Sequence, residues 1–345
     1  MIYPEKKSSD ISRREFIRKT AAGFIGFLLT TLGFSAKAMG SDERRDSPMQ
    51  NNTLVSLVKT DDRKFGVRRA IELLPEPDLS GKGVLLKPNF NTADPTPGST
   101  HNDTLEQLII ELKNMGTSTI TIGERSGPPD TKRVMEEKGI FELARRLGVS
   151  VINFEELPEK DWVLVDSPDF HWRKGFKVAR PVVDAERIVS TCCLKTHGYG
   201  GVFTMSLKLS VGITHKSYMR ELHGSVLSMR KMIAEINTCY SPSLIVLDGI
   251  ETFVDGGPSS GERKRGNVFL AGTDRIAIDA VGLAILKELG SNRKIMNTPI
   301  FEQDQIKRSA ELGLGVGSPE GIEIITGDRD SETYARKLRK ILSNG

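Results

Sequence analysis

The segment GVLLKPNFNTADPTPGSTHNDTLEQLIIELKNMGTSTITIG, residues 83–123, decides the fold class. Its first part, GVLLKPN at 83–89, reads as a buried strand running into a loop. Residues 103–114 read as a helix, and TSTITIG at 117–123 returns to a strand. A strand, a Pro- and Gly-rich loop, a helix and a second strand, in that order and at those lengths, argue for a parallel sheet covered by helices.

The same alternation continues on both sides. TLVSLVKT at 53–60 reads as a strand and 64–74 carries a helical apolar stripe. Residues 131–147 read as helical with a break at Gly139, and 149–154 as a strand. WVLV at 162–165 and GFKVARPV at 175–182 look like short strands of an added lobe or hairpin. Residues 186–193 form another buried strand, 222–237 a helix, and 243–250 and 267–272 two further strands. Asp274 opens a helix that runs to Leu289, and it reads as an N-cap first and a ligand group second. A helix at 301–312, a strand at 321–326 and a charged helix at 331–342 close the chain. The expected class is α/β, a mostly parallel sheet with helices on both faces, as one domain or two lobes.

Residues 1–38 read as an address rather than as fold. A basic stretch holding SRREFIR is followed by the uncharged run Thr20–Phe34 and the short segment SAKAMG. That is the order of a removable signal. The paired Arg13 and Arg14 resemble the twin-arginine consensus, which implies export by that translocase to the periplasm or another extracytoplasmic space. The apolar run is shorter than the ~20 residues of a membrane span, so it anchors the chain only if the signal is retained. Ala36-Lys37-Ala38 is the best cleavage site. Residues 39–52 read as a flexible linker, 53–328 as the α/β domain and 329–345 as a C-terminal helix, whose stretch TYARKLRKIL hints at a docking face.

Removing the signal changes the charge balance. The whole chain has 49 Lys+Arg against 45 Asp+Glu, and the part after residue 38 holds 42 of each. A neutral chain without interleaved basic and aromatic residues gives no sign of nucleic-acid binding. The three cysteines, Cys192, Cys193 and Cys239, fall short of the four thiolates of an ordinary iron–sulfur cluster. A bridge from Cys192 or Cys193 to Cys239 is the one plausible disulfide, and buried inert thiols are the expectation.

Polar and Gly-rich motifs follow almost every expected strand. Lys87-Pro88-Asn89, Gly123-Glu124-Arg125-Ser126-Gly127, Lys195-Thr196-His197, Asp248-Gly249, GGPSSG at 256–261 and Thr273-Asp274 all take such positions. In a doubly wound sheet, ligands sit beyond the carboxyl ends of the strands, so these residues are expected on one rim. Lys195, His197 and Lys208 are the candidates for catalysis. Lys87, Asn89, Gly256, Gly257 and Asp274 are the candidates for binding a cofactor or anionic substrate. Glu124, His197, His215 and Asp248 are the candidates for a metal, although the histidine spacings match no zinc signature. Cofactor, metal and oligomeric state stay open.

From about Val84 to Gly315 the motifs resemble the family catalogued as domain of unknown function 362. The matching residues are Lys87-Pro88-Asn89, Gly123-Glu124, Lys195-Thr196-His197, Ser206-Leu207-Lys208, Asp248-Gly249, Gly256-Gly257-Pro258 with Gly261, Thr273-Asp274 with Asp279, and Glu311 to Gly315. The resemblance implies a fold and a site but no reaction. Many relatives carry a ferredoxin-like cysteine cluster that this chain lacks, and many have Lys-Asn where it has Lys208-Leu209. A more remote likeness is to the nickel-dependent lactate racemases, which use Lys and His at strand ends; it is an analogy only. Two functions remain: an exported enzyme with a strand-end cleft, or a non-catalytic protein that holds a small ligand or metal for another exported component.

Overall fold

The computed structural model describes residues 52–344. Arg13, Arg14, the signal and all but the last residue of the expected linker lie outside the described residues. Among the described residues, no helix is long and apolar enough to cross a membrane.

The first half alternates as β1 (Thr53–Lys59), α1 (Arg63–Glu72), β2 (Gly83–Lys87), α2 (Asn102–Asn114), β3 (Thr119–Glu124), α3 (Thr131–Glu137), α4 (Ile140–Leu147) and β4 (Ser150–Asn153). Gly139, at φ 68°, separates α3 from α4 at the expected break. A small excursion follows, with the hairpin β5 (Trp162–Val165) and β6 (Phe176–Ala179), then α5 (Arg180–Val183). The chain returns as β7 (Arg187–His197), β8 (Val202–Thr204), α6 (Ser206–Leu209), α7 (Met219–Gly224) and α8 (Met229–Ile236). It ends with β9 (Leu244–Gly256), β10 (Gly261–Arg265), β11 (Val268–Gly272), α9 (Arg275–Leu289), α10 (Arg293–Asn297), α11 (Asp304–Glu311), β12 (Ile322–Ile325) and α12 (Arg329–Asn344).

Ten strands form one sheet in the order β12-β1-β11-β9-β7-β2-β3-β4, with β10 on β9 and β8 on β7. The run β9-β7-β2-β3-β4 is parallel throughout. Besides the added strands β8 and β10, β11 runs against the rest, antiparallel to both β9 and β1. Its sequence, an apolar run like its neighbours, carries no sign of direction. The reversal therefore delivers Thr273 and Asp274 to the end of the sheet opposite the expected rim.

Period-two alternation sorts the sheet into two faces. Val84, Leu86, Val189, Leu244, Val246, Phe269 and Ala271 pack with α1 to α4. Cys192, Leu194, Ile245, Leu247, Val268 and Leu270 point the other way, onto α9, α11 and α12. On that second face Leu85 and Ile188 meet a third cluster, formed by the β5–β6 hairpin, α7 and α8. Every residue of α9 from Arg275 to Leu286 is buried. Such an all-round apolar helix needs covering, and α12 supplies part of the cover with Ala335, Leu338 and Leu342. The apolar face of TYARKLRKIL is thus used within the fold, which corrects the hint of a docking face. Cys192, Cys193 and Cys239 are free thiols, and burial raises the pKa of all three.

Candidate functional site

A cavity of about 540 Å³ opens where β2, β3 and β7 end. Lys87 and Asn89 enter it after β2, Glu124 and Arg125 after β3, and Lys195 and His197 from the end of β7. Lys208 comes from the short helix α6, which is fastened from below. The backbone N–H groups of Ser206 and Leu207 donate to the two oxygens of Asp279 on α9, at 2.7 and 3.0 Å.

The lysines differ in what holds them. Lys87 Nζ donates to Glu124 Oε1 at 2.5 Å and to Pro88 O at 2.8 Å. Glu124 also accepts the N–H groups of Phe90 and Arg125, at 2.8 and 2.9 Å, so its capacity is spent inside the protein. Lys195, fully buried, donates to the carbonyls of Gly98 and Pro258, at 2.5 and 3.2 Å. Lys216 pairs with Glu155 at 2.5 Å. Arg125 donates to the carbonyls of Ser126 and Val211, leaving Nε without a partner. Lys208 is half-buried and, among the described residues, makes neither a hydrogen bond nor an ion pair. His197 Nδ1 and Thr204 Oγ1 also lack partners, although both residues are 7% exposed. Buried polar atoms are seldom left this way.

Several expected site residues lie elsewhere. Asp248 is buried within β9, which continues to Gly256 rather than ending at Ile250. Its carboxylate takes Arg63 Nε at 3.0 Å, Thr104 Oγ1 at 2.8 Å and Ile250 N at 3.1 Å. Asp274 caps α9 at the other end of the sheet, accepting from Ile276 and Ala277 through one oxygen and Val316 through the other. His215 stands edge-on to Trp162, with ring centroids 4.7 Å apart, outside the cavity lining. The four metal candidates therefore do not converge, and no cluster of three His, Cys, Asp or Glu side chains suited to a metal occurs among the described residues. Gly256 and Gly257 do not line the cavity but shape the turn that does. Gly257 has φ +74°, and a Cβ there would fall 2.1 Å from Thr196 O. This close approach brings Pro258 and Ser259 into the lining. Arg125, Thr204 and Lys216 are among the lining residues not named as catalytic, cofactor or metal candidates from the sequence. Arg125 stands within the Gly123–Gly127 motif, where a second charge beside Glu124 was the available signal; Thr204 and Lys216 follow no motif.

The profile described as Domain of unknown function (DUF362) matches residues 84–284. The chain belongs to this family. All six cavity residues named first above fall within that match, as does Lys208. No curated protein matches the chain. Among solved structures, it is similar to the lactate racemase apoprotein from Thermoanaerobacterium thermosaccharolyticum, at 13% identity and TM-score 0.43, over 85% of this chain and 88% of that one. It is also similar to a Thermotoga maritima protein, at 13% identity and TM-score 0.45, over 74% of this chain and 60% of that one.

In this DUF362 chain the lining carries five cationic side chains, Lys87, Arg125, Lys195, Lys208 and Lys216, against one carboxylate, Glu124. Burial lowers the pKa of Lys87 and raises that of Glu124, while their contact opposes both shifts. Burial pulls Lys195 down to about 8. It does the same to Lys208, helped by the charges of Lys195 and Arg125. His197 is pushed to about 2 by burial, then by Lys208 and Lys195. It is a neutral imidazole at any working pH.

Proposed function

We propose that this DUF362 chain is an exported enzyme whose strand-end cavity binds a small molecule carrying at least two negative charges. The observation that carries the reading is the imbalance of five cations against one carboxylate, with Lys208 answered by no anion among the described residues. Like charges gathered in a half-buried space raise one another's energy, and a bound polyanion relieves that repulsion. Lys208 and Arg125 are placed to face it, with the charge of the buried Lys195 behind them, while Lys87 is committed to Glu124. A lysine titrating near 8 beside a neutral imidazole offers a part-neutral amine to a bound electrophile. That pairing favours catalysis over simple storage.

Binding of oxalate, pyrophosphate and a neutral diol to the chain after residue 38, read by calorimetry, tests the proposal. The two anions should bind and the diol should not. Lys208→Ala should weaken anion binding by roughly 10–100-fold, the worth of one charge-assisted hydrogen bond. Absence of binding by both anions, or binding indifferent to Lys208, would sink the reading.

Export rests on the order of regions in residues 1–38, with the twin-arginine translocase as the partner. Arg13→Lys with Arg14→Lys should leave the precursor at full length in the cytoplasm. Unimpaired export of that double variant would refute the twin-arginine route.

A further inference from the structure

Resting on the anion-binding reading above, we infer that the cavity takes a small aldehyde or ketone bearing a carboxylate or phosphate, and that Lys208 forms an imine with its carbonyl carbon. Three observations lead there. Lys208 is, among the described residues, the cavity lysine whose amine is committed to nothing: Lys87 is held by Glu124, Lys216 by Glu155, and Lys195 by two carbonyls. An amine must turn its lone pair toward a carbonyl carbon to attack it, and a lysine held by hydrogen bonds to a carboxylate or to carbonyls is not free to do so. Arg125 and Lys195 line the same cavity and supply positive charge for the anionic group of such a ligand.

The third observation is the neighbour. The point where a Cβ on Gly201 would sit lies 2.9 Å from Lys208 Cε and 3.1 Å from His197 Nδ1. Glycine at 201 therefore leaves room for the lysine stem and the imidazole to flank one point, and that Nδ1 has no partner among the described residues. Imine formation moves two protons from nitrogen to oxygen. The neutral amine bonds to the carbonyl carbon, and one proton passes from nitrogen to oxygen to give a carbinolamine. The second N–H proton passes to the hydroxyl as the C–O bond breaks, and one water leaves. The neutral His197 imidazole stands beside the reacting amine as a hydrogen-bond partner, and no oxidant or further reactant is required.

The titratable groups sharing the cavity with Lys208 are Lys195, Arg125, His197, Tyr199, His223, Lys216 and the Lys87–Glu124 pair. Burial and the charges of Lys195 and Arg125 keep part of its population neutral near pH 8, where a surface lysine is almost wholly protonated.

Incubation of the chain after residue 38 with glyoxylate or glyceraldehyde 3-phosphate plus cyanoborohydride, followed by peptide mapping, tests the inference. Cyanoborohydride delivers hydride to the imine carbon and fixes the adduct. Labelling should fall on Lys208 at least about ten-fold faster than on other lysines, rising between pH 7 and 9. Butyraldehyde, which has no anionic group, should label without preference. The two charged probes separate the carboxylate from the phosphate form of the ligand. Lys208→Arg should abolish the selective adduct while thermal melting shows a folded chain. Adducts scattered over surface lysines in the unaltered chain would overturn the inference, and that result needs no variant. If oxalate binds calorimetrically yet no adduct forms at Lys208, the imine fails and the anion site stands. If Lys208 is labelled selectively but oxalate and pyrophosphate neither bind nor slow the labelling, the anion site fails instead.

Discussion

At the carboxyl ends of β2, β3 and β7, Lys208 is left without a carboxylate and His197 Nδ1 without any partner among the described residues. At the opposite end of the sheet, both oxygens of Asp274 are used, two N–H groups on one and Val316 N on the other. Asp248, between them in β9, is likewise saturated by Arg63, Thr104 and Ile250. The difference separates charges that support the fold from charges held ready for something outside it. A buried polar group that is satisfied internally has no capacity left for a ligand, and one left unsatisfied costs free energy until a ligand arrives.

Removing a saturated group should harm stability and spare binding. Asp248→Ala leaves Arg63 facing an empty, buried position, and loss of one partner of a buried pair costs about 3–5 kcal/mol. Urea unfolding should show that loss while oxalate affinity, measured on the folded protein, stays unchanged. A concurrent loss of affinity would return Asp248 to the site.

Asp274→Ala removes the cap of α9 and should cost about 1–2 kcal/mol in the same assay. It too should leave anion binding intact, whereas Lys208→Met should do the reverse. With no partner to lose and like charges nearby, Lys208→Met should not destabilise the fold. A large destabilisation by that substitution would show Lys208 to be structural.

The pH dependence is the smallest and most diagnostic effect. Lys195 and Lys208 titrate near 8 in the fold and near their ordinary value of about 10.4 when unfolded. Across that interval the unfolded chain holds more protons, so these two lysines make stability rise with pH through the window. A bound anion favours their protonated forms. Affinity should therefore fall as pH rises through 8, and calorimetry at pH 8.5 in buffers of different ionisation enthalpy should show proton uptake on binding. Proton release there would contradict the assignment of these lysines as anion ligands.

Much of this contrast could be read from the chain alone, though not all. Strand ends at Lys87, Glu124 and Lys195 were legible because an apolar run that stops at a charge must deliver it somewhere polar. The placement of Asp274 was not, because NVFLAG reads the same in either direction and only pairing with β1 and β9 reverses it. Asp248 misled for a related reason: the Gly249 that follows looks like a strand end, yet the chain continues paired to Gly256. The short strands β8 and β10 were also missed, since neither Val202–Thr204 nor the polar Gly261–Arg265 carries a pattern strong enough to register. Isolation of Lys208 is a property of tertiary neighbours and has no local signature.

Anomalous diffraction from crystals of the chain after residue 38 soaked in selenate tests the central claim most directly, because the dianion marks its own position. The strongest peak should lie in the cavity among Arg125, Lys195 and Lys208, and should vanish in Lys208→Met crystals. A cavity without a peak, or a stronger one beside the start of α9 at the far end of the sheet, would contradict the account.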